Sequence, residues 1–103
     1  MARYGFVMHL KGLQVIEDYE RLHQDIGEEV REAHRRAGMR NYTIFRDTLT
    51  LFAYFEAEDP QACFEHLKTE PVMEEWWAKT NPLMLTENDA PKITELREVF
   101  HMD

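Results

Sequence analysis

Between Ala2 and Ala37 the apolar residues change their period once. Up to Leu10 they alternate. Tyr4, Phe6, Met8 and Leu10 fall on one face and Gly5, Val7 and His9 on the other, which is the pattern of a β-strand. Past Lys11-Gly12 the step lengthens: Val15, Tyr19, Leu22, Ile26, Val30, Ala33 and Ala37 recur every three or four residues, and Gly38 stands at the expected stop. The spacing predicts one long amphipathic helix. A strand and a helix each bury only one side, so the pair must close against a sheet.

The sheet follows in the sequence. Asn41 to Asp47 and Leu49 to Glu56 are rich in aromatic and β-branched residues with a break at Asp47-Thr48, the signature of a hairpin. Asp59-Pro60 opens a helix that runs to about Lys68, with Asp59 as N-cap and Pro60 at the first position. A further helix is expected from Val72 to about Thr80 and a loop from Asn81 to Pro91, with Glu95 to His101 as a closing strand. The order β-α-β-β-α-β implies an α+β, ferredoxin-like fold: one antiparallel sheet with helices on one face. The hairpin has two apolar faces, with Leu51, Ala53 and Phe55 on one and Phe52 and Tyr54 on the other. Helices cover only the first. A second copy of the sheet is the simplest cover for the other, so the expectation is a homodimer with a barrel-like interior, a dimeric α/β-barrel.

At 103 residues the chain has room for one core, and 1–103 is read as a single domain. Its formal charge of −8 disfavours nucleic acid, and the short cluster Arg31, Arg35, Arg36 and Arg40 is explained by the negative end of the helix that it closes. No stretch approaches the ~20 apolar residues of a membrane span. Cys63 is the only cysteine, and the start Met-Ala-Arg-Tyr-Gly has no apolar leader core, so a cytoplasmic setting is expected.

Few residues suggest chemistry by themselves. His23 sits at the border of the long apolar stripe, shared with Ile16, Gly27 and His34, and Tyr19 stands one turn before it. A half-buried imidazole beside a phenol can move protons near neutral pH, although by position alone a histidine that only packs or hydrogen-bonds is the better reading. No HExxH pair exists, no second histidine stands one turn from His23, and His9, His34, His66 and His101 are scattered, so no metal is expected. The chain has no serine and no nucleotide-binding glycine pattern. Trp76 and Trp77 point about 100° apart on a helix, so one packs inward and the other borders a cavity or an interface. Aromatic faces suit the C–H faces of sugars.

These residues recur in order along nearly the whole chain. Tyr19-x-x-x-His23, Ile26-x-x-Glu29, Asn41-Tyr42-Thr43-Ile44, Trp76-Trp77 and Glu95-Leu96-x-Glu98-Val99-Phe100 together resemble the L-rhamnose mutarotase family. The resemblance implies a ferredoxin-like dimer without metal or cofactor that interconverts the anomers of L-rhamnose or a related deoxyhexose, a small-molecule monosaccharide. It makes His23 the catalytic acid/base and Tyr19, Tyr42, Trp76 and Trp77 the sugar-binding residues. The same fold class hosts cofactor-free monooxygenases and haem-degrading enzymes, and a non-catalytic sugar-binding module is a further alternative. The chain departs from the family's Ile-Trp-Pro-Glu at Ile26-Gly27-Glu28-Glu29, and from its late loop at Thr86-Glu87-Asn88-Asp89-Ala90-Pro91. With Gly27 inside the helix, one turn beyond His23, the missing tryptophan predicts a wider pocket and a broader or shifted substrate range.

Overall fold

A computed structural model describes residues 1–103. The chain runs β1 (Ala2–His9), a 3-10 turn (Leu13–Val15), α1 (Ile16–Gln24), α2 (Glu28–Arg36), β2 (Arg40–Asp47) and β3 (Thr50–Ala57). It continues with α3 (Pro60–Leu67), α4 (Pro71–Thr80), a second 3-10 turn (Asn81–Leu83), β4 (Thr86–Glu87), β5 (Ala90–Pro91) and β6 (Thr94–Leu96). Four strands form one antiparallel sheet in the order β2-β3-β1-β6. This is the expected α+β, ferredoxin-like arrangement.

Alternation along the strands decides what each face does. The register pairs Tyr4 with Phe55, Phe6 with Ala53 and Met8 with Leu51, and all six side chains are buried. Phe64 of α3 lies edge-on to Phe6 and Phe55 at centroid distances of 5.9 and 5.6 Å. Phe6, Leu51 and Phe55 are at most 1% exposed, and each contributes roughly 1.5–3 kcal/mol by leaving water. The opposite face has no helix. There Phe45 pairs with Phe52, and Phe45, Phe52 and Leu96 remain 68%, 42% and 45% exposed. The sheet is open within the chain, with β2 and β6 as its edges.

Local chemistry explains the helix ends. Asp59 accepts a hydrogen bond from the Ala62 amide at 3.2 Å, with Pro60 in the first turn of α3, as the sequence predicts. Gly38 ends α2 at φ +96°, where the Gly38 amide donates to the Arg35 carbonyl and the Met39 amide to that of His34, the paired bonds of a Schellman cap. Glu70 accepts from Arg36 at 2.8 and 2.9 Å and from His66 at 2.8 Å, tying α2 to the start of α4.

Three expectations are corrected. The long first helix is two helices, interrupted at residues 25–27, because Gly27 adopts φ +88° and ψ 152°, a conformation that only glycine adopts readily. Ile26, Val30 and Ala33 still face inward, so the stripe keeps its phase across the break. The expected loop Asn81–Pro91 contains the β4–β5 hairpin. Its turn is Asn88-Asp89, at φ 56° and 63°, a left-handed pair that matches the strand twist and that Asn and Asp tolerate. The closing strand is shorter and earlier than Glu95 to His101: β6 pairs Leu96 with Gly5, while Val99 and Phe100 lie outside any strand at 88% and 78% exposure.

Candidate functional site

α1, α2, β2 and α4 enclose a cavity of about 480 Å³, within the roughly 300–1,000 Å³ of small-molecule sites. His23 and Ile26 come from α1 and its exit, and Arg31, His34 and Arg35 from α2. β2 with its approach supplies Met39, Asn41, Tyr42 and Ile44, and α4 supplies Trp76.

His23 is held on three sides. Its ring lies 4.2 Å from that of Tyr19 and 5.2 Å from that of Trp76, the latter edge-on. Nδ1 is 2.9 Å from the Tyr19 carbonyl, which only accepts, so Nδ1 carries a proton and donates it. In the neutral ring Nε2 is then a base. Burial lowers the His23 pKa, outweighing the carbonyl, which stabilises the charged form. Tyr19 is itself buried behind the imidazole, its phenol pushed up to about 12 by desolvation, so it remains protonated at neutral pH.

His34 repeats this arrangement on the next helix. Its Nδ1 donates to the Val30 carbonyl at 2.7 Å, and its ring meets Tyr42 edge-on at 5.4 Å. Burial lowers its pKa, and the charge of His23 lowers it further. Tyr42 is 36% exposed, yet burial of the phenol, aided by Tyr19, raises its pKa well above the ordinary tyrosine value. A β-bulge between Arg40 and Thr43, with Asn41 at φ 54°, bends the strand where Tyr42 leaves it. Tyr42 thus lies over Phe6 and Phe55, at 6.4 and 5.7 Å.

Of the five residues singled out in the sequence, His23, Tyr42 and Trp76 line the cavity and Tyr19 backs His23. Trp77 is half-buried against the core and lines no part of this cavity. Gly27, where the family pattern has tryptophan, is exposed and lies outside the lining, and an added Cβ there would meet nothing within 4 Å.

Sequence reasoning gave no role to His34, Arg31, Arg35 or Asn41. His34 carried a signal, since it shares the border of the stripe with His23. The arginines read only as helix-terminal charge. Arg35 binds Glu28 at 2.9 Å and also Glu32, and Arg31 approaches Glu28 at 4.0 Å, so much of their charge is offset. No three His, Cys, Asp or Glu side chains come together as a metal site.

The chain is similar to known proteins over its full length. A family profile described as L-rhamnose mutarotase matches residues 3–102. The L-rhamnose mutarotase of Lactiplantibacillus plantarum is 37% identical over 100% of both chains, and that of Bacillus subtilis 41% identical over 84% of this chain and 86% of its own. The crystal structure of an L-rhamnose mutarotase from Formosa agariphila superposes with a TM-score of 0.83 at 26% identity, covering 100% of both chains. An antibiotic biosynthesis monooxygenase, 16% identical with a TM-score of 0.63 over 96% of this chain and 99% of its own, shares the fold alone.

Proposed function

The chain belongs to the L-rhamnose mutarotase family, and from that premise we propose that it interconverts the α and β anomers of L-rhamnose or a related deoxyhexose, with His23 as general acid at the ring oxygen. The observation that carries the reading is the setting of His23. Its imidazole is fixed by the Tyr19 carbonyl, flanked by the rings of Tyr19 and Trp76, and opens into a cavity of small-molecule size.

Mutarotation asks little of such a site. A proton leaves the anomeric hydroxyl, one is added to the ring oxygen, and the C1–O5 bond breaks to give the open aldehyde. Rotation about C1–C2 presents the other carbonyl face, and closure reverses the proton transfers. His23 carries Nδ1–H in a bond to the backbone, so the proton it donates to the ring oxygen sits on Nε2. Tyr42 and Trp76 supply the polar and apolar walls expected of a sugar site, and Tyr19 fixes the plane of the imidazole. Trp77 is assigned to sugar binding by the family resemblance alone.

The uncovered apolar face of Phe45, Phe52 and Leu96 supports a homodimer, in which two sheets close over one another. No helix is long and apolar enough to cross a membrane. The lone, buried Cys63 fits a reducing, cytoplasmic compartment.

The test is anomer exchange measured by saturation-transfer NMR on L-rhamnose for wild type and His23→Ala. The variant should stay folded and lose enzymatic exchange by at least about 10²-fold, the lower range of general acid–base catalysis. Exchange at the wild-type rate in folded His23→Ala would remove His23 from the reaction. Binding of the sugar by wild type without faster exchange would make the chain a binding module.

A further inference from the structure

Taking His23 as the acid, we propose that His34 is the second proton-transfer group of the same reaction, the base that accepts the proton of the anomeric hydroxyl. Ring opening moves two protons at one carbon. As the O1–H bond breaks, its electron pair forms C1=O1 and its proton passes to Nε2 of His34. The C1–O5 pair leaves on O5, which takes the proton of protonated His23. Closure runs both transfers backwards on either face of the aldehyde, so the two imidazoles return to their starting states and no other reagent enters.

The lining of the cavity leaves few candidates for that base. It contains no Asp, Glu, Lys or Cys. Arg31 and Arg35 stay protonated throughout. The phenol of Tyr42 is driven away from ionisation by burial. His23 and His34 remain, and they have the same construction: Nδ1 donates to the carbonyl four residues earlier, at 2.9 and 2.7 Å, so Nε2 of each is its exchangeable site. Tyr19 from α1, Tyr42 from β2, and Arg31 and Arg35 on α2, backed by Glu28 and Glu32, are the other titratable groups around the pair. Two imidazoles in one partly desolvated cavity resist double protonation, so the pair holds one proton over an intermediate pH range. That is the state the reaction requires.

The structural alternative is that His34 only packs against Tyr42 and ties down the Val30 carbonyl. Four proteins separate the two: wild type, His23→Ala, His34→Asn, which retains a donor toward Val30, and His34→Ala. Anomer exchange of L-rhamnose is followed between about pH 5 and 8, the range in which imidazoles titrate, with circular dichroism to verify folding. Wild type should give a bell-shaped kcat/KM profile, its acid limb from protonation of His34 and its alkaline limb from loss of the His23 proton. Both His34 variants should fall by about 10²-fold and lose the acid limb while keeping the alkaline one. Added imidazole should restore part of the rate in His34→Ala.

A wild-type rate and an unchanged bell in His34→Asn would overturn the proposal. So would a wild-type profile that only rises with pH, since one neutral base would then perform both transfers. If His23→Ala is inactive while His34→Asn is unaffected, this inference alone falls. If folded His23→Ala exchanges normally, the reading of the cavity falls with it. Should His34→Ala fail to fold, the Asn variant and the wild-type profile decide.

Discussion

Replacing Gly27 by alanine tests the break between α1 and α2 through the sign of its effect. In a helix interior, Gly→Ala stabilises by roughly 0.5–1 kcal/mol, because alanine loses less backbone entropy on folding. Here the residue sits at φ +88° and ψ 152°, so the same change forces an L side chain into a region held almost solely by glycine. That strain costs about 1–3 kcal/mol. A new Cβ would meet no atom within 4 Å, so no steric clash adds to the cost and no new packing offsets it. For a domain near this size, 1 kcal/mol lowers Tm by about 4–8 °C, so a fall of at least roughly 4 °C is expected. Thermal unfolding by circular dichroism at matched protomer concentration measures it, matched because dimerisation would shift both curves. Since Gly27 lies outside the cavity, preference among hexoses should stay as in wild type. An unchanged or raised Tm would mean that the helix runs through residue 27 and that the account of the break is wrong.

Two further outcomes follow from the burial pattern. Phe52→Asp on the helix-free face should give a particle near the 12.3 kDa chain mass by light scattering, against about twice that for wild type; a wild-type monomer at micromolar concentration would refute the dimer. Stability to urea should be fully present above the unfolded histidine value of 6.5 and fall as pH drops through the lower folded values of His23 and His34, because both are buried in the neutral form and must charge. A separate loss should follow only in stronger acid, between the ordinary carboxylate value of 4.5 and about 2, where Glu70, held down first by Arg36 and then by His66, takes up its proton. Substituting both His23 and His34 with Gln should flatten the first decline alone, and a decline of unchanged slope would refute its assignment to them.

Most of the sheet was legible because its periodicity is strong. Tyr4, Phe6 and Met8 on β1 and Leu51, Ala53 and Phe55 on β3 alternate without interruption, and Asp59-Pro60 carries both signals of a helix start. The helix break was hidden because Ile26 and Val30 are four apart, as on a continuous helix, so the stripe never loses phase. Only Gly27 betrayed it, and a lone glycine is compatible with a helix. Strands as short as Thr86–Glu87 and Ala90–Pro91 show no measurable period, although Asn88-Asp89 marked their turn. Within the site, His23, Tyr42 and Trp76 were found through the family pattern, whereas His34 was visible only as a residue sharing a border with His23. The arginines of the rim gave no signal separable from helix-end charge.

The break at Gly27 also fixes a length scale. His23 and His34 are eleven residues apart, and on one straight helix at 1.5 Å per residue they would stand about 16 Å apart along the axis, too far to serve one sugar ring. Residues 25–27 let two short helices turn both imidazoles toward a single cavity. The reach between the two rings is therefore set by a three-residue connection rather than by helical pitch. A chain that healed this interruption could keep both histidines and its apolar stripe while moving them out of register with a common substrate.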